Sequence, residues 1–176
     1  MPLSRGFERV MTALAAGDRP ATGLRRIQTE TIVPVDLDAT FAFFSDAANL
    51  ERLTPPWINF RILSPLPIAM REGATIDYHI VLYGLPIPWR TRIDVWEPGR
   101  RFVDRQIAGP YRWWRHEHRF EPHPDGTRVI DDVEYAQRLA ALSTRLVARD
   151  VGRIFAFRQE VLASLLAASR PALVQA

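Results

Sequence analysis

Two histidines separated by one residue are the part of this sequence best equipped for chemistry. His116 and His118 lie in the run WWRHEHRF, whose alternation predicts a β-strand, so both imidazoles point to the same face. Imidazole titrates near neutral pH and can donate or accept a proton. If Asp131 of the next strand lies opposite, its carboxylate can fix a histidine tautomer. His116, His118 and Asp131 are therefore candidate catalytic residues for general acid/base chemistry.

Two other interpretations of this group remain open. The histidines can be ordinary hydrogen-bonding groups in a partly hydrated pocket. They can also form, with Asp131, a site of two histidines and one carboxylate of the kind that binds transition metals. Side chains two positions apart on a strand converge on one ion only where the strand twists suitably, so we predict no metal ligands and no cofactor.

Strand pairing predicts which face is interior. We expect Phe120 to pair with Thr127 across the turn at 124–126, because the apolar residues of the second strand then meet this face. The resulting opposite pairs are His118 with Val129, His116 with Asp131, and Trp114 with Val133.

Aromatic residues on the same face and on other strands could contact a ligand. Tyr78 and Tyr135 can orient a carbonyl or hydroxyl group, and Trp89 and Trp114 can stack on a planar molecule; ordinary core packing is the alternative for each. The predicted ligand-binding residues are Tyr78, Trp89, Arg105, Trp114, His116, His118, Asp131 and Tyr135.

Arg105 belongs to that group only under one of two registers. One register turns Val103, Arg105 and Ile107 inward, and a slip of one residue turns Phe102, Asp104 and Gln106 inward instead. We favour the first. An inward Arg105 would need Asp131 or an anionic ligand as its partner.

Composition limits the function classes. The chain has 176 residues, which is one domain of ordinary globular composition. It lacks cysteine and lysine, so thiol nucleophiles and lysine Schiff bases are excluded. The net charge is only +3 and the arginines are scattered among the acids, so we do not expect nucleic-acid binding. No apolar run is long enough for a membrane span and no secretory segment begins the chain, so we expect a cytoplasmic protein.

The order of elements sets the frame for these residues. A strand at 27–33 precedes two short helices capped by Asp36 and Asp46, which end at the prolines 55–56. Alternating patterns then predict antiparallel strands, and an apolar stripe predicts a long helix at 143–168. The predicted strands are 60–63, 75–82, 89–95, 102–107, 111–121 and 127–136.

The ends of the chain are predicted to lie outside this domain. Residues 1–24 form an N-terminal extension with a short amphipathic helix, residues 25–170 form the domain, and 171–176 form a tail. The helix could contact a membrane surface or a regulated partner. We favour packing on its own domain, and oligomeric state is left open.

This order resembles the helix-grip fold. The segments VPVDLDATFAFFSDAANLERLTPPWINFRIL, MREGATIDYHIVLYGLPIPWRTRI and WEPGRRFVDRQIAGPYRWWRHEHRFEPHPDGTRVIDDVEY are similar to bacterial members of the START-like (SRPBCC) superfamily labelled polyketide cyclase/dehydrase-like. The resemblance spans residues 26–166. It implies an α+β helix-grip (START/Bet v 1-like) fold, in which a curved antiparallel sheet of about seven strands grips the C-terminal helix.

The resemblance also implies a hydrophobic cavity between sheet and helix. Members bind lipids, polyketides, isoprenoids, quinones or plant hormones, and a minority catalyse cyclisation or dehydration. The leading hypothesis is a binding protein for a hydrophobic small molecule. The alternative is a cyclase/dehydratase in which His116 or His118 moves protons, and a third is an interaction module regulated by its ligand or its N-terminal helix.

Overall fold

The computed structural model describes residues 5–17, 23–82, 84–138 and 144–168. A seven-stranded antiparallel sheet and a long C-terminal helix dominate it. In chain order the elements are α1 (Arg5–Ala13), β1 (Arg25–Val33), α2 (Leu37–Ser45), α3 (Asn49–Leu53), a 3₁₀ turn (Pro56–Ile58), β2 (Arg61–Ile62), β3 (Thr75–Leu82), β4 (Leu85–Glu97), β5 (Arg101–Ala108), β6 (Tyr111–His123), β7 (Gly126–Gln137) and α4 (Thr144–Ala168).

The sheet is a meander that the first strand completes. Its order is β1-β7-β6-β5-β4-β3-β2, and every pairing is antiparallel. Irregularities interrupt the β4–β5 ladder and the start of the β6–β7 ladder, and such bulges bend a sheet. The α+β helix-grip fold predicted from the sequence is confirmed.

Helix α4 lies across the inner face of the sheet and divides the interior. Near its C-terminus Leu162 and Leu166 pack with Phe41 and Phe120 in a solid core. Nearer its N-terminus Val151 and Phe155 pack with β7. Burying such side chains contributes roughly 1.5–3 kcal/mol each, so the apolar stripe holds the helix in place.

The short helices begin close to where the sequence places them. The Asp36 side chain accepts a hydrogen bond from the Ala39 amide at 2.8 Å and caps α2. The prediction that Asp46 caps the second short helix is wrong, because α3 begins later, with Ala48 at its N-cap. The Asp46 carboxylate instead accepts from the Ala48 amide in the turn between α2 and α3.

The β6–β7 hairpin corrects the predicted register. Phe120 pairs with Val129, His118 with Asp131, and His116 with Val133, two residues away from the expected pairs. The strands continue to a tight turn at 124–125 because Gly126 adopts φ +134°, and a Cβ there would lie 2.2 Å from the Val33 carbonyl oxygen. A shift of two preserves the faces, so the interior residues stay interior.

The N-terminal helix packs on the outer face of the sheet, away from α4. Met11 is 2% exposed, and Glu8 forms an ion pair with Arg90 of β4 at 2.8 Å. Ala15 then forms a bridge with Ala108 of β5. The division into an extension at 1–24 and a domain at 25–170 stays a prediction, and the predicted tail at 171–176 lies outside the described residues. Across the described ranges, no helix has the length and apolar character needed to cross a bilayer.

Candidate functional site

A cavity of about 200 Å³ lies between the inner face of the sheet, the short helices α2 and α3, and α4. Most of the side chains around it are apolar, as in typical small-molecule sites. Its aromatic lining comprises Phe43, Phe44, Phe60, Tyr78, Trp89, Phe102, Tyr111, Trp114 and Phe155.

One wall of the cavity is built from stacked rings. The rings of Tyr78 and Trp89 stack with centroids 5.7 Å apart, and Trp114 meets Trp89 edge-on at 5.3 Å. Thr91 holds this wall together: its hydroxyl accepts from the Trp89 indole N–H at 3.0 Å and lies 3.2 Å from the Tyr78 hydroxyl. Burial raises the pKa of Tyr78 well above its usual value, so this residue is a neutral phenol that can hydrogen-bond.

Opposite charges meet at another part of the interior. We call the side chains Asp104 (β5), His116 and His118 (β6), Asp131 (β7) and Arg158 (α4) the inner polar group. Asp104, His116, His118 and Arg158 border the cavity. Four different elements supply this group, so its geometry depends on the whole fold.

Asp131 lies behind the histidines and binds both. Its Oδ1 is 2.9 Å from His116 Nε2 and 2.9 Å from His118 Nδ1, and its Oδ2 accepts from Arg158 Nε at 2.9 Å. Burial acts to raise the pKa of Asp131. The Arg158 charge and the histidine hydrogen bonds outweigh burial and place that pKa well below its usual value. Asp131 is therefore a fixed anion that orients the imidazoles.

The ring nitrogens that Asp131 does not bind are directed toward Asp104. Asp104 Oδ2 is 3.1 Å from His118 Nε2 and 3.7 Å from His116 Nδ1. The two rings are in contact, with centroids 3.7 Å apart, and His118 also stacks on Phe102 at 4.2 Å.

The pKa values of the two histidines are shifted in opposite directions. Burial and the neighbouring His118 lower the pKa of His116. Burial also acts to lower the pKa of His118, but hydrogen bonds to Asp104 and Asp131 outweigh it and raise that pKa. Arg158 Nη2 lies 3.3 Å from His118 Nδ1, farther than Asp131 Oδ1. We therefore assign His118 Nδ1 as a donor to Asp131 rather than as an acceptor from Arg158.

Five predicted site residues border the cavity, and two lie just outside its lining. Those that border it are Tyr78, Trp89, Trp114, His116 and His118. Asp131 does not line the cavity but contacts His116, His118 and Arg158, which do. Tyr135 is 4% exposed, packs with Val151 and Phe155 of α4, and is not among the residues that line the cavity.

The predicted inward position of Arg105 is wrong. β5 pairs with β6 across the turn at 109–110, which places Asp104 opposite His116 and Arg105 on the outer face opposite Arg115. Arg105 Nε donates to Asp94 at 2.6 Å, and its guanidinium lies 5.7 Å from the Trp113 ring centroid. The structure has the other register, in which Phe102, Asp104 and Gln106 face inward.

Sequence reasoning missed two charged members of the site. Asp104 would have followed from the other β5 register. Arg158 was visible as a charged residue within the apolar stripe of α4, where it is 6% exposed. A cation at such a position indicates a buried anion nearby.

Comparisons with known proteins agree with this architecture. Residues 33–160 match the family described as polyketide cyclase / dehydrase and lipid transport. No curated protein matches the chain.

Solved structures of the same fold share little sequence with it. The ZhuI aromatase/cyclase from Streptomyces sp. R1128 is 16% identical, with a TM-score of 0.70 over 87% of this chain and 99% of that one. Ara h 8.0201 is 15% identical, with a TM-score of 0.60 over 84% of this chain and 100% of that one. Major latex-like protein 151 from Panax ginseng is 9% identical, with a TM-score of 0.60 over 80% and 96%. At these identities the likeness shows the fold alone.

Proposed function

The chain belongs to the polyketide cyclase / dehydrase and lipid transport family, and from that premise we propose that its cavity binds a hydrophobic small molecule carrying a polar group. The observation that carries this proposal is the contrast within one cavity. A wall of stacked rings around Tyr78 and Trp89 faces apolar surface of the ligand, and the inner polar group receives its polar atoms.

The shape of the cavity favours a compact, ring-containing ligand. Its volume of about 200 Å³ lies below the roughly 300–1,000 Å³ that is usual for drug-sized ligands. Flat aromatic walls stack on planar rings better than on a flexible chain. Among polyketide-, isoprenoid-, quinone- and lipid-like ligands, these features favour the polyketide- and quinone-like ones.

The charge of the inner polar group favours a neutral ligand. The group contains two carboxylates, Asp104 and Asp131, but one guanidinium, that of Arg158. An anionic ligand would therefore be repelled by the carboxylate that has no guanidinium partner in the group. A ligand hydroxyl can donate to Asp104 or to His116 Nδ1, and a ligand carbonyl can accept from the Tyr78 hydroxyl, which also lines the cavity.

Fluorescence titration with N-phenyl-1-naphthylamine, a neutral aromatic lipophile, tests the proposal. We expect saturable binding by the unaltered protein and at least about tenfold weaker binding by Ile80→Trp, because Ile80 is 8% exposed and the larger side chain fills the cavity. His79→Trp, one position away on the opposite face of β3, is the matched control. Equal binding by all three proteins would refute a ligand cavity, and native mass spectrometry would identify any lipophile that co-purifies.

Proton transfer on the bound ligand is the second candidate function. His116 borders the cavity, its Nε2 contacts Asp131, and its Nδ1 lies 3.7 Å from Asp104, beyond hydrogen-bond distance, so Nδ1 is available as a general base. His118, hydrogen-bonded to Asp104, is the matching donor, and the Tyr78 hydroxyl can polarise a carbonyl. Arg105 and Tyr135 have no part in this chemistry because neither borders the cavity. A general base and a proton donor, the roles assigned here to His116 and His118, are what cyclase/dehydratase chemistry would use.

Deuterium exchange at the α-carbon of 1-tetralone in D₂O, followed by NMR, measures this step without the natural substrate. We expect catalysed exchange that falls by roughly 10²–10⁴-fold in His116→Ala. His123, the last residue of β6, does not line the cavity and gives the control His123→Ala, which should retain full exchange. Exchange unaffected by His116→Ala and His118→Ala would exclude the acid/base assignment.

A further inference from the structure

Three side chains of the inner polar group present one ligand atom each to a common point. Asp104, His116 and His118 each offer one ligand atom within 4.8 Å of the other two. Asp104 Oδ2 is 3.1 Å from His118 Nε2 and 3.7 Å from His116 Nδ1. Nitrogen and oxygen atoms at 2.0–2.2 Å from one tetrahedral ion are roughly 3.3–3.6 Å apart. The two separations from Asp104 Oδ2 lie just below and just above that range.

The remaining nitrogens of both imidazoles are occupied by one carboxylate oxygen. Asp131 Oδ1 is 2.9 Å from His116 Nε2 and 2.9 Å from His118 Nδ1. Histidines that bind metals almost always donate their other ring N–H to a carboxylate, carbonyl or water, which fixes the ring and its tautomer. Here a single carboxylate performs this role for two rings and leaves both free nitrogens directed at Asp104.

The charges of the group leave room for a cation. Asp104 and Asp131 carry two negative charges, and Arg158 neutralises one of them through Asp131. Arg158 contacts the Nδ1 side of the His118 ring rather than Nε2, so its positive charge is not at the point where the three ligand atoms converge.

We propose that Asp104, His116 and His118 bind a divalent transition-metal ion, such as Zn²⁺, at the base of the cavity. Two imidazoles and one carboxylate suit Zn²⁺, Co²⁺ or Fe²⁺ better than Mg²⁺ or Ca²⁺. Three protein ligands leave at least one coordination position open toward the cavity, as in catalytic rather than structural zinc sites. The sequence predicted no metal ligands and considered only Asp131 as the carboxylate of such a site. In the proposed site Asp131 is the positioning residue and Asp104 is the ligand.

Titration of the chelator-treated full chain with Co²⁺, followed by visible absorption, tests this site. We expect one ion per chain and at least about tenfold weaker binding in Asp104→Asn and in His118→Ala. His123 lies 3.7 Å from Asp125 in an exposed turn, so His123→Ala is a matched control for a histidine beside a carboxylate, and it should bind as the unaltered protein does. Co²⁺ binding that is absent, or unchanged in Asp104→Asn and His118→Ala, would overturn the proposal.

A second measurement needs no variant. Paramagnetic Co²⁺ shifts the protons of histidines that coordinate it, so the unaltered protein should show two strongly shifted N–H signals that disappear in D₂O. They belong to His116 Nε2 and His118 Nδ1, the nitrogens held by Asp131. Absence of such signals at saturating Co²⁺ would contradict the site.

The metal site and the ligand cavity fail independently. Binding of N-phenyl-1-naphthylamine by a chain that binds no Co²⁺ would remove only the metal site. Binding of Co²⁺ by a chain that binds no lipophile would remove only the proposed function.

Discussion

Both faces of the sheet carry carboxylates. Those of the outer face named below all contact arginine, whereas on the inner face Asp131 contacts Arg158 and Asp104 contacts the histidines. On the outer face, four carboxylates each have an arginine nitrogen at 2.5–2.7 Å from a carboxylate oxygen. These outer pairs are Asp77 with Arg90, Asp94 with Arg92 and Arg105, Glu117 with Arg115, and Asp132 with Arg26.

The inner polar group is built differently. Asp104 contacts the histidines, and Arg158 contacts Asp131, so the group has more carboxylate than guanidinium charge and depends on a proton or another cation for balance. It also borders a cavity, and the side chain that carries its only guanidinium, Arg158, is 8% exposed. In the outer pairs, the side chains of Arg26, Arg90, Arg92 and Arg115 are 23–59% exposed. Carboxylates that are paired with guanidinium groups stabilise the outer face. A group with an excess of carboxylate charge beside a cavity is suited to bind a cation or the polar atoms of a ligand.

Removing arginine should affect the two faces very differently, and this is the largest expected effect. Arg158→Met leaves Asp131 as a buried anion without its guanidinium and should cost about 3–5 kcal/mol of unfolding free energy. Arg92→Met is the outer control and should cost at most about 1 kcal/mol, because Arg92 is 42% exposed and Asp94 keeps Arg105. Urea unfolding of both variants measures the difference. Equal losses would mean that the inner group is no more dependent on its arginine than the outer pairs.

The pH dependence of stability near neutrality should come from the inner face. The raised pKa of His118 contributes stability that is complete below its unfolded value of 6.5 and is lost as the pH rises through the higher folded value. The lowered pKa of His116 acts in the other direction, because the folded protein loses stability as the pH falls below 6.5. The outer Asp132 has a lowered pKa, so its contribution is lost only as the pH falls below the usual 3.8.

Urea unfolding with chelator present, across pH 5–9, separates these contributions. We expect His118→Gln to be most destabilising at acid pH and His116→Gln to gain relative stability there. If the unfolding free energies of both variants depend on pH in the same way, the pKa values of the two histidines are not shifted in opposite directions.

The smallest effect we predict is a change of one histidine pKa. Asp104→Asn removes the excess carboxylate of the inner polar group, so the pKa of His118 should fall. Asp132→Asn, on the outer face, should leave that pKa unchanged. NMR titration of the four histidines resolves both variants, and a pKa of His118 that is insensitive to Asp104→Asn would contradict the assigned contact.

The fold could be predicted from the sequence because its signals repeat. The alternation in β6 and β7 assigned inner and outer faces correctly although the predicted pairs were two residues off, since a shift of two keeps every side chain on its face. The stripe on α4 placed that helix to within one residue of Thr144–Ala168.

The charge partners within the site were harder to predict. A one-residue choice in β5 decided whether Asp104 or Arg105 faced inward, and no pattern in that strand distinguishes the two because both faces are largely buried. The approach of His116 and His118 to Asp104 depends on the twist and bulges of the assembled sheet, which local spacing does not encode.

The most direct test of the central claim follows the histidine ring signals during titration with N-phenyl-1-naphthylamine in metal-free buffer. If the cavity beside the inner polar group is the binding site, the signals of His116 and His118 will shift and saturate with the fluorescence change, and those of His123 will stay in place. Saturated binding with His116 and His118 unmoved would contradict the account.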